Sequence, residues 1–252
     1  MKDSFQFKRA AVFAAIALFG IAGCGDDETV TVVDPQIERS LPGEPPPMGP
    51  VTAVERVVVE GDPQPAEIYT ASLMPMNVNL LQASPSAEVQ LRIEGETLVI
   101  EVNARGLPAS MMHLQHIHGF IDGAVASCPG IDADTNNDGI IDVIEIESSA
   151  GITMVPFHDN PGSMEISSEA YAVADDQGAY SYNQSVSLNS LRGAFQEMFG
   201  DNELYLDNRV VFIHGVPENM ELPASVQSIP GAPAQMTVPI ACGVLSLQQS
   251  AQ

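Results

Sequence analysis

The chain has no tryptophan, five tyrosines and nine phenylalanines among its 252 residues, so a packed core has to rest on aliphatic side chains. Apolar residues make up 45% of the chain, which is ample for one core. Basic residues are scarce: nine Lys and Arg stand against 33 Asp and Glu, a net charge of −24. That balance excludes nucleic acid and anionic lipid surfaces as electrostatic partners. Long apolar runs are missing as well. The run Ala10 to Ala22 has 13 residues, short of the about 20 that a bilayer-spanning helix needs. No repeat period is evident. Of only five histidines, three fall in two places, His116-Ile117-His118 and the end of Val210-Val211-Phe212-Ile213-His214.

The N-terminus reads as a targeting segment, with Lys2, Lys8 and Arg9 ahead of the short apolar run. Ile21-Ala22-Gly23-Cys24 resembles a bacterial lipobox, in which small residues precede a cysteine that is acylated after cleavage. The resemblance implies a signal peptide over 1–23. It also implies a lipid-anchored Cys24 on the extracytoplasmic side of the bacterial cell envelope, periplasmic or surface, with the bilayer as partner. Each buried acyl methylene contributes roughly 0.8 kcal/mol, so a multiply acylated Cys24 is a stable anchor. An ordinary secretory signal with an incidental cysteine is the alternative. The predicted mature chain, Cys24 to Gln252, has no lysine and six arginines against 32 acidic residues, a net charge of −26. Residues 24–50 are acidic and proline-rich, ending in Pro45-Pro46-Pro47-Met48-Gly49-Pro50, and read as a tether. The remaining pair, Cys128 and Cys242, reads as one disulfide in an exported chain, with two buried free thiols as the alternative.

From residue 51 to 252, short β-rich runs alternate with turn signals, which predicts an antiparallel all-β domain with long loops. Strands are expected over Val51–Val59, Glu67–Leu73, Glu88–Ile93, Thr97–Ala104, His113–Ile121, Ala170–Ala174, Ala179–Val186, Arg209–Ile213 and Gly243–Leu247. The alternation is clearest where Val89, Leu91 and Ile93 lead through Gly95 into Leu98, Ile100 and Val102. Asp175-Asp176-Gln177-Gly178 fits a hairpin turn, and Leu188 to Phe199 is the best helix candidate, short enough that a loop is the alternative.

Residues 134–145 fit D-x-N-x-D-G-x-x-D-x-x-E at every position. In that pattern Asp134, Asn136 and Asp138 present alternate side-chain oxygens to a hard cation, and Gly139 permits the sharp turn. The Ile140 carbonyl adds a ligand, Asp142 binds directly or through water, and Glu145 closes the site with two oxygens. A paired EF-hand also needs flanking helices. Upstream Ser127-Cys128-Pro129-Gly130 is no helix, and downstream Ser148-Ser149-Ala150-Gly151 allows one turn at most. The expectation is therefore an isolated calcium loop inserted between strands, with a structural role; a solvated acidic loop is the rival reading.

Histidines two apart on a strand project from one face with Cα atoms about 6.5–7 Å apart, and a third ending another strand can complete a three-nitrogen site suited to copper or zinc. His113 is out of phase with the pair and reads as a hydrogen-bonded core residue. Hydrogen-bonded core residues are also the bland alternative for the other three.

These pieces form an ordered set over roughly 85–248. Gly106-Leu107-Pro108 precedes His116-Ile117-His118-Gly119, and Ala174 to Ala179 forms a turn before a strand that closes at Ser187-Leu188. Asn208 to Gly215 then carries His214, and Ala241-Cys242-Gly243-Val244-Leu245-Ser246-Leu247 ends the domain. The set resembles the copper/zinc superoxide dismutases. The resemblance implies an antiparallel Greek-key β-sandwich or barrel, a Cys128–Cys242 disulfide, and copper ligands at His116, His118 and His214. His158 would be the fourth ligand, although it falls thirty residues after Cys128, beyond the calcium loop. No histidine lies between His158 and His214, so a complete zinc site is absent from the sequence. Pro239 stands where the family has its catalytic arginine. If the chain is an enzyme, the resemblance implies superoxide dismutation with the three histidines acting only as ligands of a redox copper. The region also resembles the CHRD domain, with Ala71-Ser72-Leu73 ahead of a strand pair and His-Ile-His-Gly after it. Three functions follow as expectations: a membrane-tethered dismutase-like protein, a copper-scavenging lipoprotein, and a calcium-stabilised structural or adhesion module.

Overall fold

A computed structural model describes residues 67–81, 83–166 and 169–248. The expected leader 1–23, the acylation site Cys24, the tether 24–50 and the strand Val51–Val59 lie outside the described residues. Among the described residues, no helix is long and apolar enough to cross a membrane.

Nine strands make one antiparallel sheet that curls into a half-barrel. They are β1 Glu67–Pro75, β2 Ser86–Glu94, β3 Thr97–Arg105, β4 Gln115–Gly119, β5 Ile152–Pro156, β6 Tyr180–Ser187, β7 Val210–His214, β8 Pro239–Val244 and β9 Ser246–Gln248. The order across the sheet is β5-β4-β7-β8-β1-β2-β3-β6, with β9 also paired to β1. The expected all-β architecture is therefore present.

The β1–β2–β3 meander follows from period-2 patterning. Ala71, Val89 and Val102 lie in register across the three strands, as do Leu91 and Ile100, and all five are buried. Gly95, at φ +58°, supplies the positive φ that the two-residue turn between β2 and β3 favours at its first position. Helix α1 is the single turn Glu147–Ala150, and α2 spans Leu188–Phe199. The Ser187 hydroxyl caps α2 by accepting from the Ser190 N–H, and Gly200 ends it in the left-handed region at φ +81°. Its buried residues Leu188, Leu191 and Phe195 recur at helical spacing and join the main core.

Strands β4 and β7 are buried along their whole length, and their two faces serve different cores. Ile117, Val211, Ile213 and Ala241 belong to the main cluster. Val210, Phe212 and Cys242 alternate with them and pack instead against Ile141, Val143, Ile146 and Ala150. The long β4–β5 connection thus folds back over the outer face of the sheet. The Cys128–Cys242 disulfide pins that connection to β8.

Three expectations are corrected. Ala170–Ala174 is not a strand; its pairing is limited to isolated bridges from Val173 to Met112 and from Tyr171 to His158. The strand expected over His113–Ile121 is confined to β4, because His113 and Leu114 bond as a loop to Ala172 and His214. The C-terminal run expected over Gly243–Leu247 divides at Leu245 into β8 and β9, because the Leu245 N–H turns aside to the Arg209 carbonyl. Strand β5, which sequence patterning does not announce, packs beside β4 where Gly151 meets it. A Cβ at Gly151 would lie 2.1 Å from the Gly119 carbonyl oxygen, so only glycine permits the approach.

Candidate metal centre

Pairing in β4 and β7 places His116 opposite Phe212 and His118 opposite Val210. Side chains of opposed residues share a face, and so do residues two apart. His116, His118 and His214 therefore gather on the outer face, with Phe212 among them. Ring centroids are 5.8 Å apart for His116–His118, 5.2 Å for His116–His214 and 5.6 Å for His118–His214. Phe212 packs 4.8 Å from His118 and 5.6 Å from His214. The three imidazoles are only 3%, 1% and 2% exposed, so water satisfies little of their hydrogen-bonding capacity.

Their nitrogens divide into held and free. The His214 Nδ1 meets the Thr237 carbonyl at 2.7 Å, and since a carbonyl only accepts, Nδ1 carries the proton and Nε2 the lone pair. The His118 Nε2 meets the Thr153 hydroxyl at 3.1 Å. Both nitrogens of His116, the Nδ1 of His118 and the Nε2 of His214 are buried without a hydrogen-bond partner. An unsatisfied buried polar group costs about 1–3 kcal/mol, so four at one point call for an account.

Among the described residues these three histidines form the one group of three or more His, Cys, Asp or Glu side chains whose ligand atoms lie within 4.8 Å of one another. At that largest separation a central point would be about 2.8 Å from each nitrogen, against the about 2.0–2.1 Å of a metal–imidazole bond. Side-chain adjustments below about 1 Å close the difference. Ligation also requires neutral rings, and burial supplies them. Desolvation, with the charge of His214 next, brings the His118 pKa down to about 3, partly opposed by the Gly151 backbone. Desolvation brings His214 down to about 4, partly opposed by the Thr237 carbonyl. His116 is held well below its usual 6.5 by burial and then by the neighbouring rings.

His158 stands apart from this group. Its Nδ1 accepts the Asn160 N–H at 3.0 Å, and its Nε2 donates to the Glu165 carbonyl at 2.7 Å. Tyr171 packs edge-on against both His116, at 5.5 Å, and His158, at 5.1 Å. Burial pushes the Tyr171 hydroxyl up, and that hydroxyl donates to the Ile166 carbonyl. His113 is fully buried, with its ring nitrogens at the His214 and Pro108 carbonyls, as expected of a core histidine. Pro239 is paired directly with His214. Arg209 is bonded to the Leu204 and Phe120 carbonyls and packs against Gly119.

The 134–145 loop is ordered by its own carboxylates. Asp134 accepts from the Asp138 and Gly139 N–H groups, and Asp138 from Ile140. The Asn136 amide oxygen accepts the Asp138 N–H. Glu145 reaches back to Thr135 and across to the Asp142 N–H. The four carboxylates do not converge as the histidines do. Gly139 has φ +86°, as the sharp turn requires, and Ile140 is buried in the main core.

Thr153 and Thr237, which orient His118 and His214, carry no advance signal in the sequence, since any residue supplies a carbonyl and β5 is too short to announce itself. No family model and no curated protein matches this chain.

Proposed function

We propose that this chain is an extracytoplasmic metal-binding domain that holds one copper ion at His116, His118 and His214 and is anchored through an acylated Cys24. The observation that carries the reading is the set of four unpartnered buried nitrogens on three neutral, converging imidazoles. Three nitrogen donors suit copper and zinc alike, and the dismutase resemblance favours copper. Bound copper would supply one-electron redox chemistry; the chain's own residues hold, orient and seal the site. The Thr237 carbonyl and the Thr153 hydroxyl fix the ring orientations, and Phe212 and Tyr171 wall off water. The crossovers from β3 to β6 and from β4 to β7, with β8 returning beside β1, support a dismutase-like Greek key. The disulfide supports an oxidising compartment.

Binding is favoured over dismutation. Among the described residues no lysine is present, and of the arginines only Arg92 makes an ion pair, far along the chain at Glu94 and Glu101. With Pro239 paired to His214 and a strongly negative chain, the overall field repels an anion. Metal analysis of protein produced with copper should return about one equivalent, and His118→Ala should lower it below a tenth. Less than a tenth in the unmodified protein would sink the copper reading and leave the CHRD-like module. Copper-loaded protein should dismute superoxide no faster than free copper at equal concentration; a faster rate would make it a dismutase.

We also propose that 134–145 binds calcium. Asp142 is fully buried and Glu145 only 6% exposed, yet among the described residues no lysine or arginine pairs with any loop carboxylate. Buried carboxylates without a cation favour an ion that supplies one. Calcium at 100 times its Kd stabilises by about 2.7 kcal/mol, or roughly 5–10 °C in Tm for a domain of this size. Glu145→Gln should remove most of that shift in a melting experiment. A melting curve indifferent to calcium would assign the loop to solvated structure alone.

A further inference from the structure

The geometry points to the inserted loop as a positioning element for His214, acting from Asp142 through Ser228 and Thr237. The metal readout of this inference rests on the three-histidine reading; its tautomer readout does not. His214 presents Nε2 only while Nδ1 keeps its proton, and the Thr237 carbonyl at 2.7 Å is what keeps it there. Thr237 ends a single helical turn, Ala234–Thr237, too short to hold its own direction.

Side chains and backbone from two other segments hold it instead. The Ser228 hydroxyl lies 2.8 Å from the Ala232 carbonyl and 2.9 Å from the Thr237 hydroxyl. Serine has one hydroxyl proton. Ala232 can only accept, so Ser228 donates there; the Thr237 hydroxyl, which also reaches the Ala234 carbonyl at 3.4 Å, has Ser228 as its nearer acceptor. One residue earlier, the Gln227 N–H donates to Asp142 Oδ2 at 2.6 Å. Asp142 is fully buried, and its Oδ1 accepts the Ile144 and Glu145 N–H groups at 2.9 and 3.1 Å. The chain of contacts therefore runs from Asp142 to Gln227, through Ser228 and Thr237, to His214.

A second strut reaches the same stretch two residues further on. The Asn77 side chain clamps Ile141, accepting its N–H at 2.8 Å and donating to its carbonyl at 2.9 Å, and donates to the Pro239 carbonyl at 2.9 Å. Pro239 is the β8 partner of His214. Adjacent residues of the insertion, Ile141 and Asp142, are thus both linked to the 237–239 stretch beside His214, the first through Asn77 and the second through Gln227 and Ser228. A loop that merely filled space over Phe212 would need neither link.

The test is Ser228→Ala in the full chain, read in two ways. In metal-free protein labelled with ¹⁵N-histidine, His214 should be a single Nδ1–H tautomer, and Ser228→Ala should convert it to a mixture. Zinc affinity, measured against a competing chelator, should fall about 10–100-fold, the range for outer partners of ligating histidines. Ser228→Thr, which keeps the hydroxyl, should restore both. Should Ser228→Ala fail to fold, Thr237→Val removes the same link with little change in shape. Asp142→Asn should shift both readings in the same direction as Ser228→Ala. An unchanged tautomer with unchanged zinc affinity, whatever happens to Tm, would overturn the inference. If the unmodified protein binds no zinc, the tautomer alone decides, and the failure falls on the metal reading instead.

Discussion

Replacing both Cys128 and Cys242 with alanine is expected to lower the folding free energy by about 4–5 kcal/mol. The bond joins residues 114 apart, and the loop-entropy relation rises with the logarithm of that separation. For a domain of roughly 180 residues the loss corresponds to a drop of about 10–20 °C in Tm. Local packing adds to it, since Cys242 is buried between Phe212, Val210 and the Ile141–Ile146 stretch of the insertion. The effect should also reach the metal centre. Cys242 is the cross-strand partner of Phe212, whose ring packs against His118 and His214. The alanine pair should therefore bind metal more weakly at temperatures where it remains folded. Chemical denaturation of the two proteins side by side, under non-reducing conditions, measures the first effect. A loss below about 1 kcal/mol would mean that the insertion stays docked on β8 without the bond.

How much of this could be read in advance depends on whether the cause is local. The Val89–Val102 hairpin declared itself because alternation and a turn glycine are properties of adjacent residues, and α2 declared itself because helical spacing lies between a serine cap and Gly200. The convergence of His116, His118 and His214 was legible for a similar reason: strand parity alone puts the pair on one face, and an apolar run ending in histidine can pair beside it. Non-local causes were not legible. Spacing could not separate His158 from the group, because what separates it is Tyr171 and two local hydrogen bonds. The support of His214 by Thr237, and of Thr237 by Ser228, depends on a carbonyl and a hydroxyl brought together by a fold, and neither leaves a mark in sequence. Nor does the motif at 134–145 reveal that Ile141, Val143 and Ile146 cover the histidine-bearing face of β7. A loop recognised for its oxygens is also a lid made of aliphatic side chains.

That lid seals three neutral imidazoles away from water, and the metal-free protein should be sensitive to acid as a result. His118 and His214 titrate at about 3 and about 4 in the folded chain, against about 6.5 when unfolded. His116 is lowered in the same direction by burial. A depressed folded pKa means that the unfolded state takes up protons first, so stability is complete above about pH 6.5 and falls as pH drops toward the folded values. At pH 5 His118 and His214 each contribute a loss on the order of 2 kcal/mol, about 4 kcal/mol for the pair, and His116 acts in the same direction. Domains of this kind have about 5–15 kcal/mol in all, so the metal-free protein should lose a large share of its stability by pH 5. The acidic composition acts in the opposite sense, because protonation relieves self-repulsion, but ordinary carboxylates titrate near pH 4, largely below this window. Urea midpoints of chelator-treated protein between pH 8 and 5 measure the balance. His118→Asn should reduce the pH slope by up to about 1.4 kcal/mol per unit, the share of one ring. Copper in excess should shift the acid limb to lower pH, since protons must then compete with the ion for the same nitrogens. A midpoint that stays level from pH 7 to pH 5 in the metal-free protein would show that the rings accept protons while folded, and that the seal over the outer face is open.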